Sequence, residues 1–358
     1  MTRALSAPGK LFLSGEYAVL WGGTARIAAV GPRTHALARQ AADRRVSIAV
    51  EDGRLSGDAT PLGVRWPAEV PDAFLFASRT LDLAYRALGT EGVGLELALA
   101  SMERAPDGRK LGLGGSAWAA VATAEGARYV LEGRYDTLKL ALAAHALAQG
   151  GKGSGGDVAA IFAGGVVRYR RYRVDELLKA SREGNLGGVL EQSPPVDLWR
   201  LPEVKLPLAY VFAGESASTR GLIAQVEARM SSAERERFVG RSDGAGQQLE
   251  LGLLKGDFSA VAEAAAELQS NLAGLSETLE TETMRQALAL AKSHGCAGKM
   301  SGAGGGDGCV VFCPDEDHRA AVLGAFKARG FLGLPLTIEP GLRGEAAPLP
   351  KLSEWMRT

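Results

Sequence analysis

The chain has 358 residues, too many for one typical hydrophobic core, and its 46% of hydrophobic residues can fill two packed domains. Its 41 basic side chains balance 41 acidic ones, and this neutral total argues against a general nucleic-acid binder. Three cysteines and four scattered histidines disfavour a disulfide framework, a structural zinc site and a histidine metal centre.

Strands and helices are predicted to alternate irregularly along the chain, from hydrophobic periodicity and from the positions of Gly and Pro. In the first half, the predicted strands cover 10–14, 25–31, 35–40, 46–51, 93–99 and 166–172, and the helices cover 72–88, 116–131 and 136–148. In the second half, the strands cover 207–212, 308–312 and 335–340, and the helices cover 217–230, 245–254, 258–272, 277–294 and 315–329. Because several strands are adjacent in sequence, this order favours an α+β or mixed α/β protein over a parallel barrel.

A run of prolines divides the chain near its middle. Pro194, Pro195, Pro202 and Pro207 lie within fourteen positions, and such a segment cannot form a long helix. We therefore predict an N-terminal domain over 1–193 and a C-terminal domain over 194–358.

Glycine is unusually frequent, with 47 residues, about twice the share of about 7% in ordinary proteins. The glycines cluster at 112–115, 150–156 and 302–308 without a period, which excludes collagen and disfavours a solenoid. Clustered glycines mark tight turns or places where the backbone approaches a ligand closely. They indicate one ligand with several phosphates, or several loops that meet at one site.

The segment 111–117 (LGLGGSA) is followed at once by an Ala-rich predicted helix. Such a loop directs several backbone N–H groups to one point, and the helix dipole adds partial positive charge there, which suits a phosphate. Ser116 either caps this helix or offers its hydroxyl to a phosphate or Mg²⁺, so a plain glycine turn with a serine cap remains an alternative. The chain has no Walker A motif, and its one G-x-G-x-x-G match, at 151–156, follows a helix rather than the strand of a dinucleotide fold.

Three further segments carry chemistry-bearing residues: 153–157 (GSGGD), 299–307 (KMSGAGGGD) and 7–10 (APGK) with 15–17 (GEY). Each has an ordinary explanation alone, respectively a capped turn, a close approach of two chain segments and a solvated lysine. Their occurrence together and in this order is specific. The segments 7–18, 112–117 and 301–307 resemble the three motifs of the GHMP kinase superfamily. Within it the chain most resembles the phosphomevalonate kinases, through 15–18, 153–159 and 214–219, and the mevalonate kinases come next.

The resemblance implies a two-domain fold, with an N-terminal domain like ribosomal protein S5, a C-terminal ferredoxin-like sandwich and the active site between them. It implies that ATP lies along Gly112, Leu113, Gly114, Gly115, Ser116 and Ala117, that Ser116 faces the phosphates and Mg²⁺, and that Lys10 and Asp157 face the reacting centre. The implied acceptor is mevalonate 5-phosphate, bound by Lys10, Asp157, Tyr17, Ser216, Ser218, Thr219, Ser301 and Ala303. Arg220, which follows that serine cluster, is expected from its charge to contact the acceptor's phosphate.

The chain departs from the family pattern at a few positions. Gly115 replaces a serine, Trp118 replaces a small residue, and Ala146, beside His145, stands where mevalonate kinases have a metal-binding glutamate. We therefore expect a metal held mainly by ATP and Ser116, or by Asp157, rather than by a protein cage.

Three functions remain open on the sequence. They are a phosphomevalonate kinase, a mevalonate kinase or another small-molecule GHMP kinase, and a nucleotide-binding protein that has lost catalysis. No apolar run suits a membrane span or a signal peptide, so we expect a cytoplasmic monomer or homodimer that binds neither membrane nor nucleic acid.

Overall fold

A computed structural model describes residues 1–89, 93–100, 105, 108–151, 153–214, 219–346 and 349–356, and it describes only the backbone of 219 and 220. The strands in these ranges are β1 (Thr2–Ser14), β2 (Thr24–Gln40), β3 (Arg45–Val50), β4 (Gly53–Thr60), β5 (Gly63–Arg65), β6 (Leu95–Leu99), β7 (Val166–Arg170), β8 (Leu198–Arg200), β9 (Leu208–Phe212), β10 (Ala297–Ser301), β11 (Gly308–Phe312), β12 (Leu332–Leu336) and β13 (Arg343–Glu345). The α-helices are α1 (Leu75–Leu88), α2 (Gly115–Val130), α3 (Thr137–Ala148), α4 (Gly156–Ala163), α5 (Asp175–Glu183), α6 (Leu186–Gln192), α7 (Thr219–Arg229), α8 (Ser232–Lys255), α9 (Phe258–Ala273), α10 (Glu282–Ser293), α11 (Glu316–Ala328) and α12 (Pro350–Trp355).

The first sheet contains nine strands and carries one wall of the site. Its main path runs β13-β1-β2-β6-β3-β4-β5, and β7 and β8 continue from β2. All of these pairs are antiparallel except β3 with β6. Helices α1, α2 and α4 pack against this sheet, α3 packs on these three helices, and together they form one hydrophobic core. This packing brings the first turns of α2 and α4 close to β1.

The second sheet is a four-stranded antiparallel sheet in the order β10-β11-β9-β12. Helices α8 to α11 pack against it and around β1 and β2, and their apolar residues form two further cores. The hairpin of β10 and β11 places its connecting loop, 302–307, at the edge of the sheet that faces β1. The loop of the third family motif therefore meets the strand of the first motif.

Side-chain caps fix several helix starts. Asp136 accepts a hydrogen bond from the N–H of Lys139 at the start of α3, and Ser231 and Glu234 form a capping box at the start of α8. By contrast, α2 and α4 begin after glycines in the left-handed region, Gly114 and Gly155, which supply no capping side chain. The first turn of α2 therefore has no cap from its N-cap residue, whereas in α4 Ser154 Oγ accepts from the N–H of Gly156 and Asp157 Oδ1 accepts from the N–H of Val158.

The mixed fold agrees with the sequence, but several element bounds were wrong. The predicted strands 25–31 and 35–40 form one continuous strand, β2, and α8 begins at Ser232 rather than at 245. The first sheet also crosses the predicted boundary at 193/194, because β8 pairs with β7 and β13 pairs with β1. The two-domain division in chain order stays a prediction, and these two short strands belong with the first sheet. None of the helices in the described ranges combines enough length and apolarity to cross a bilayer.

Candidate active site

A cavity of about 820 Å³ lies between the two halves of the fold, within the range of about 300–1,000 Å³ that is usual for small-molecule sites. Its walls include most of the site residues that the sequence predicts. Those are Lys10, Tyr17, Gly112, Leu113, Gly114, Gly115, Ser116, Asp157 and Ala303. The predicted loops therefore come together at one place.

The glycine loop 112–115 takes backbone conformations that favour glycine. Gly112 has φ +74° and Gly114 has φ +96°, in the left-handed region that other residues rarely adopt. Gly114 is the N-cap of α2, so Ser116 lies inside the first turn and is not the helix cap that the sequence allowed as an alternative. The first N–H groups of α2 and the positive end of its dipole face the cavity, and this arrangement suits an anion. Ala117 is fully buried and does not line the cavity.

Lys10 lies on β1 directly against this loop. Its backbone N–H donates to the carbonyl of Leu113 at 2.8 Å, and its Nζ donates to the carbonyl of Gly112 at 3.0 Å. A side chain at Gly114 would meet Lys10, because a Cβ built there lies 2.8 Å from Lys10 Cγ. No ion pair joins Lys10 to Asp157 within the described ranges. The glycine loop 112–115 therefore holds the lysine side chain in place.

Ser116 and Asp157 both lie next to the same nitrogen of His145. Ser116 Oγ lies 3.3 Å from His145 Nε2, and Asp157 Oδ2 lies 3.7 Å from the same nitrogen. His145 is 2% exposed, whereas the Asp157 side chain keeps 20% of its surface exposed toward the cavity. Two hard oxygen donors from α2 and α4 thus stand together at the wall of the cavity.

Tyr17 and Ser301 tie the first family motif to the third. The Tyr17 hydroxyl donates to the carbonyl of Ala303 at 2.8 Å, and burial together with the neighbouring Glu16 carboxylate raises the pKa of Tyr17 above its usual range. The Ser301 hydroxyl donates to the carbonyl of Phe12 at 2.8 Å, and Ser301 does not line the cavity. Ser301 therefore acts at the contact between β10 and β1, whereas Ala303 reaches the site.

Asp307 lines the cavity, a role that was not predicted from the sequence. A Cβ built on Gly112 would lie 3.4 Å from Asp307 Cγ, so this carboxyl faces the phosphate loop. Burial raises the pKa of Asp307, and the positive charge of Lys10 opposes that shift. Its position at the end of the third glycine cluster was the signal that could have identified it.

A second group that the sequence did not identify is the buried ion pair of Glu16 and Lys299. The side chains are 2% and 0% exposed, and Lys299 Nζ donates to both Glu16 and the carbonyl of Met300. Glu16 belongs to the first family motif and also lines the cavity. The pair therefore connects the β1 side of the cavity to β10 from within the core.

For four predicted acceptor residues the structure describes no side-chain position. Ser216 and Ser218 lie outside the described residues, and Thr219 and Arg220 are described only as the first backbone positions of α7. Ile223, one turn into α7, lines the cavity, so this helix borders the site.

The residues that are present fit a hard divalent cation such as Mg²⁺. Such an ion prefers oxygen ligands and is usually held by one or two carboxylates together with substrate phosphates. Asp157 supplies a partly exposed carboxylate, and Ser116 supplies a hydroxyl beside it. Among the residues that the structure describes, no group of three His, Cys, Asp or Glu side chains forms a metal cage.

Comparisons with known proteins identify the family. The model for the GHMP kinase N-terminal domain matches residues 76–165, and the model for the C-terminal domain matches residues 249–331. A phosphomevalonate kinase from Streptomyces sp. strain CL190 is 31% identical, and the alignment covers 94% of this chain and 97% of that protein.

Two solved structures share the fold. The Lin0012 protein from Listeria innocua has a TM-score of 0.84 at 23% identity, covering 97% of this chain and 100% of that one. Streptococcus pneumoniae phosphomevalonate kinase, solved in complex with phosphomevalonate and AMPPNP, has a TM-score of 0.77 at 23% identity, covering 93% and 99%. The chain belongs to the GHMP kinase family of phosphotransferases.

Proposed function

We propose that the chain transfers the γ-phosphoryl group of ATP to mevalonate 5-phosphate and releases 5-diphosphomevalonate and ADP, in the cytoplasm. The observation that carries this proposal is the Streptomyces relative, a phosphomevalonate kinase that aligns with almost the whole chain. In this transfer the bond from the γ-phosphorus to the β–γ bridging oxygen breaks. A new bond forms between that phosphorus and an oxygen of the acceptor's phosphate.

The donor side of the site suits the phosphates of a nucleotide. The loop 112–115 and the uncapped start of α2 supply backbone N–H groups, and Lys10 adds a full positive charge beside them. Phosphoryl transfer depends mainly on positioning and on neutralising charge over the transferred group. Lys10 and the first turn of α2 therefore offset the repulsion between two anionic phosphates.

Ser116 and Asp157 would hold Mg²⁺ with the nucleotide phosphates. When bound, such an ion would neutralise part of the charge on the nucleotide phosphates. Ser116 positions its hydroxyl at the start of α2, and Asp157 brings its carboxylate from the first turn of α4. Both side chains thus contribute to the site before any ligand enters.

The acceptor decides what Asp157 must do. A phosphate monoester has a second pKa of about 6, so it is mostly a dianion at pH 7 and has no proton to lose when it attacks. An alcohol acceptor benefits instead from a base that takes its proton, and such a base contributes about 10²–10⁴-fold. Asp157 is therefore assigned to positioning and charge balance, not to proton removal.

The experiment is an ADP-release assay with two acceptors and two enzymes. Wild type is expected to turn over mevalonate 5-phosphate and not mevalonate, and turnover of mevalonate alone would identify a mevalonate kinase instead. Asp157→Asn keeps the shape and removes the charge, so a moderate loss of kcat is expected, smaller than the upper end of about 10²–10⁴-fold. A near-total loss, together with disappearance of an acidic limb from the kcat–pH profile, would show that Asp157 is a general base.

A further inference from the structure

His145 is a buried polar residue on an otherwise apolar helix. It lies in the last turn of α3, whose sequence TLKLALAAHALA is mostly Ala and Leu, and it is 2% exposed. Its ring stacks on Phe76 with centroids 5.1 Å apart and planes inclined by 31°. Burying a polar group costs free energy unless it is hydrogen-bonded, so an aliphatic or aromatic residue would fill this place at lower cost. The polar atoms of His145 therefore call for an explanation beyond packing.

The Nε2 atom of His145 faces two site residues that come from different helices. Ser116 Oγ stands at 3.3 Å and Asp157 Oδ2 at 3.7 Å, and all three residues line the same cavity. No sequence motif links position 145 to position 116 or 157. The contact arises because α2, α3 and α4 pack on one another.

One nitrogen cannot treat both oxygens in the same way. If Nε2 carries hydrogen, it donates to the Ser116 oxygen, and the Ser116 hydrogen must point away from the ring. Asp157 Oδ2, at 3.7 Å, is beyond hydrogen-bond reach, but a protonated ring would attract its charge. If Nε2 carries a lone pair, the Ser116 hydroxyl donates to it, and the serine lone pairs face the cavity. In both cases His145 limits the rotation of a hydroxyl that would otherwise turn freely.

We propose that His145 is a positioning residue, which fixes the direction of the Ser116 hydroxyl and the place of the Asp157 carboxylate relative to the bound phosphates. This inference rests on the proposed phosphoryl transfer. It accounts for an aligned Ser116 in a chain that has Gly115 in place of the loop's second serine and Ala146 in place of the metal-binding glutamate of mevalonate kinases. His145 supplies no ligand itself, but it holds the Ser116 and Asp157 oxygens in position.

The test compares two substitutions of His145. His145→Phe keeps an aromatic ring against Phe76 and removes the nitrogen, whereas His145→Gln keeps a group that can donate and accept. We expect His145→Phe to lower kcat by about 10–100-fold, the range found when residues that orient ligands are removed. The KM for acceptor and the calorimetric Kd for an ATP analogue are expected to stay within about threefold of wild type, and His145→Gln is expected to recover part of kcat.

His294→Phe is the matched control, because it makes the same chemical change at the end of α10, away from the cavity. It is expected to keep wild-type kcat. A His145→Phe enzyme with kcat within twofold of wild type would overturn the proposal. So would a loss that His145→Gln does not relieve, or one that follows a large fall in melting temperature, since each indicates packing alone. If wild type uses another acceptor, the proposed function is wrong. The His145 variants are then compared with that acceptor, so failure of the function and failure of this proposal can be told apart.

Discussion

Replacing Gly114 by alanine is expected to separate backbone strain from the placement of Lys10. Gly114 has φ +96°, where a non-glycine residue costs about 1–2 kcal/mol. The new Cβ would also lie 2.8 Å from Lys10 Cγ, closer than such atoms come in real structures, and 3.2 Å from Ile161 Cδ1, which would have to shift slightly. Cγ lies near the root of the side chain, and the backbone of Lys10 is bonded to Leu113, so the lysine must rotate and leave the carbonyl of Gly112.

Gly184→Ala supplies the matched control. Gly184 ends α5 with φ +77°, is exposed, and has no atom within 4 Å of a built Cβ, so alanine there adds strain without a collision. Backbone strain is expected to lower the unfolding free energy of both variants by about 1–2 kcal/mol. Alanine also reduces the entropy of the unfolded chain, and this opposing contribution is the same in the two variants. Thermal unfolding followed by circular dichroism measures this loss, at about 2–4 °C per kcal/mol for domains of 150–250 residues.

Activity should then divide the two variants. Gly184→Ala is expected to keep the wild-type kcat for mevalonate 5-phosphate in the ADP-release assay. Gly114→Ala is expected to lose on the order of 10²–10³-fold, as when one group that stabilises a transition state is removed. Equal kcat values in the two variants would refute the assignment of Lys10 to the transferred phosphoryl group.

Three other outcomes follow from the same geometry. Lys10→Met should lower kcat by on the order of 10²–10³-fold with little change in melting temperature, and wild-type turnover would return Lys10 to a solvated charge. Ser116→Ala should lower kcat by on the order of 10–10³-fold, and this loss should exceed the rise in the acceptor KM. An unchanged kcat would contradict the place of Ser116 at the phosphates. Burial raises the pKa of Asp307, so its contribution to stability is fully present below its ordinary pKa of 3.8 and is lost as the pH rises through the folded-state value. Asp307→Asn should therefore gain unfolding free energy relative to wild type between pH 4 and pH 7 in urea titrations, and a constant difference would contradict the shift.

The sequence predicted the site best where a single segment carries the chemistry. Gly112 and Gly114 have positive φ angles, and α2 starts directly after them with N–H groups that suit an anion, so both features are local. Asp157 follows the same rule at the start of α4. These features depend on neighbours in the chain, which the sequence displays.

The sequence failed where a role depends on packing between distant segments. His145 acquires its role only because α3 packs on both α2 and α4, and Asp307 reaches Gly112 only because the β10–β11 hairpin turns toward β1. Ser301 was expected in the acceptor pocket, but its hydroxyl is used on the carbonyl of Phe12. Long elements were also misjudged for a tertiary reason, since β2 stays continuous because β1 pairs with both of its parts.

The buried pair of Glu16 and Lys299 joins positions 283 residues apart in the chain. Losing one partner leaves a charge in the core and costs about 3–5 kcal/mol, whereas replacing both by apolar residues of similar volume is often nearly neutral. The two positions are therefore expected to change together in evolution, because a protein with only one of them replaced is much less stable. The same constraint governs recombination: a chimera that takes its first half from one relative and its second half from another keeps its stability only when both parents carry the same kind of pair.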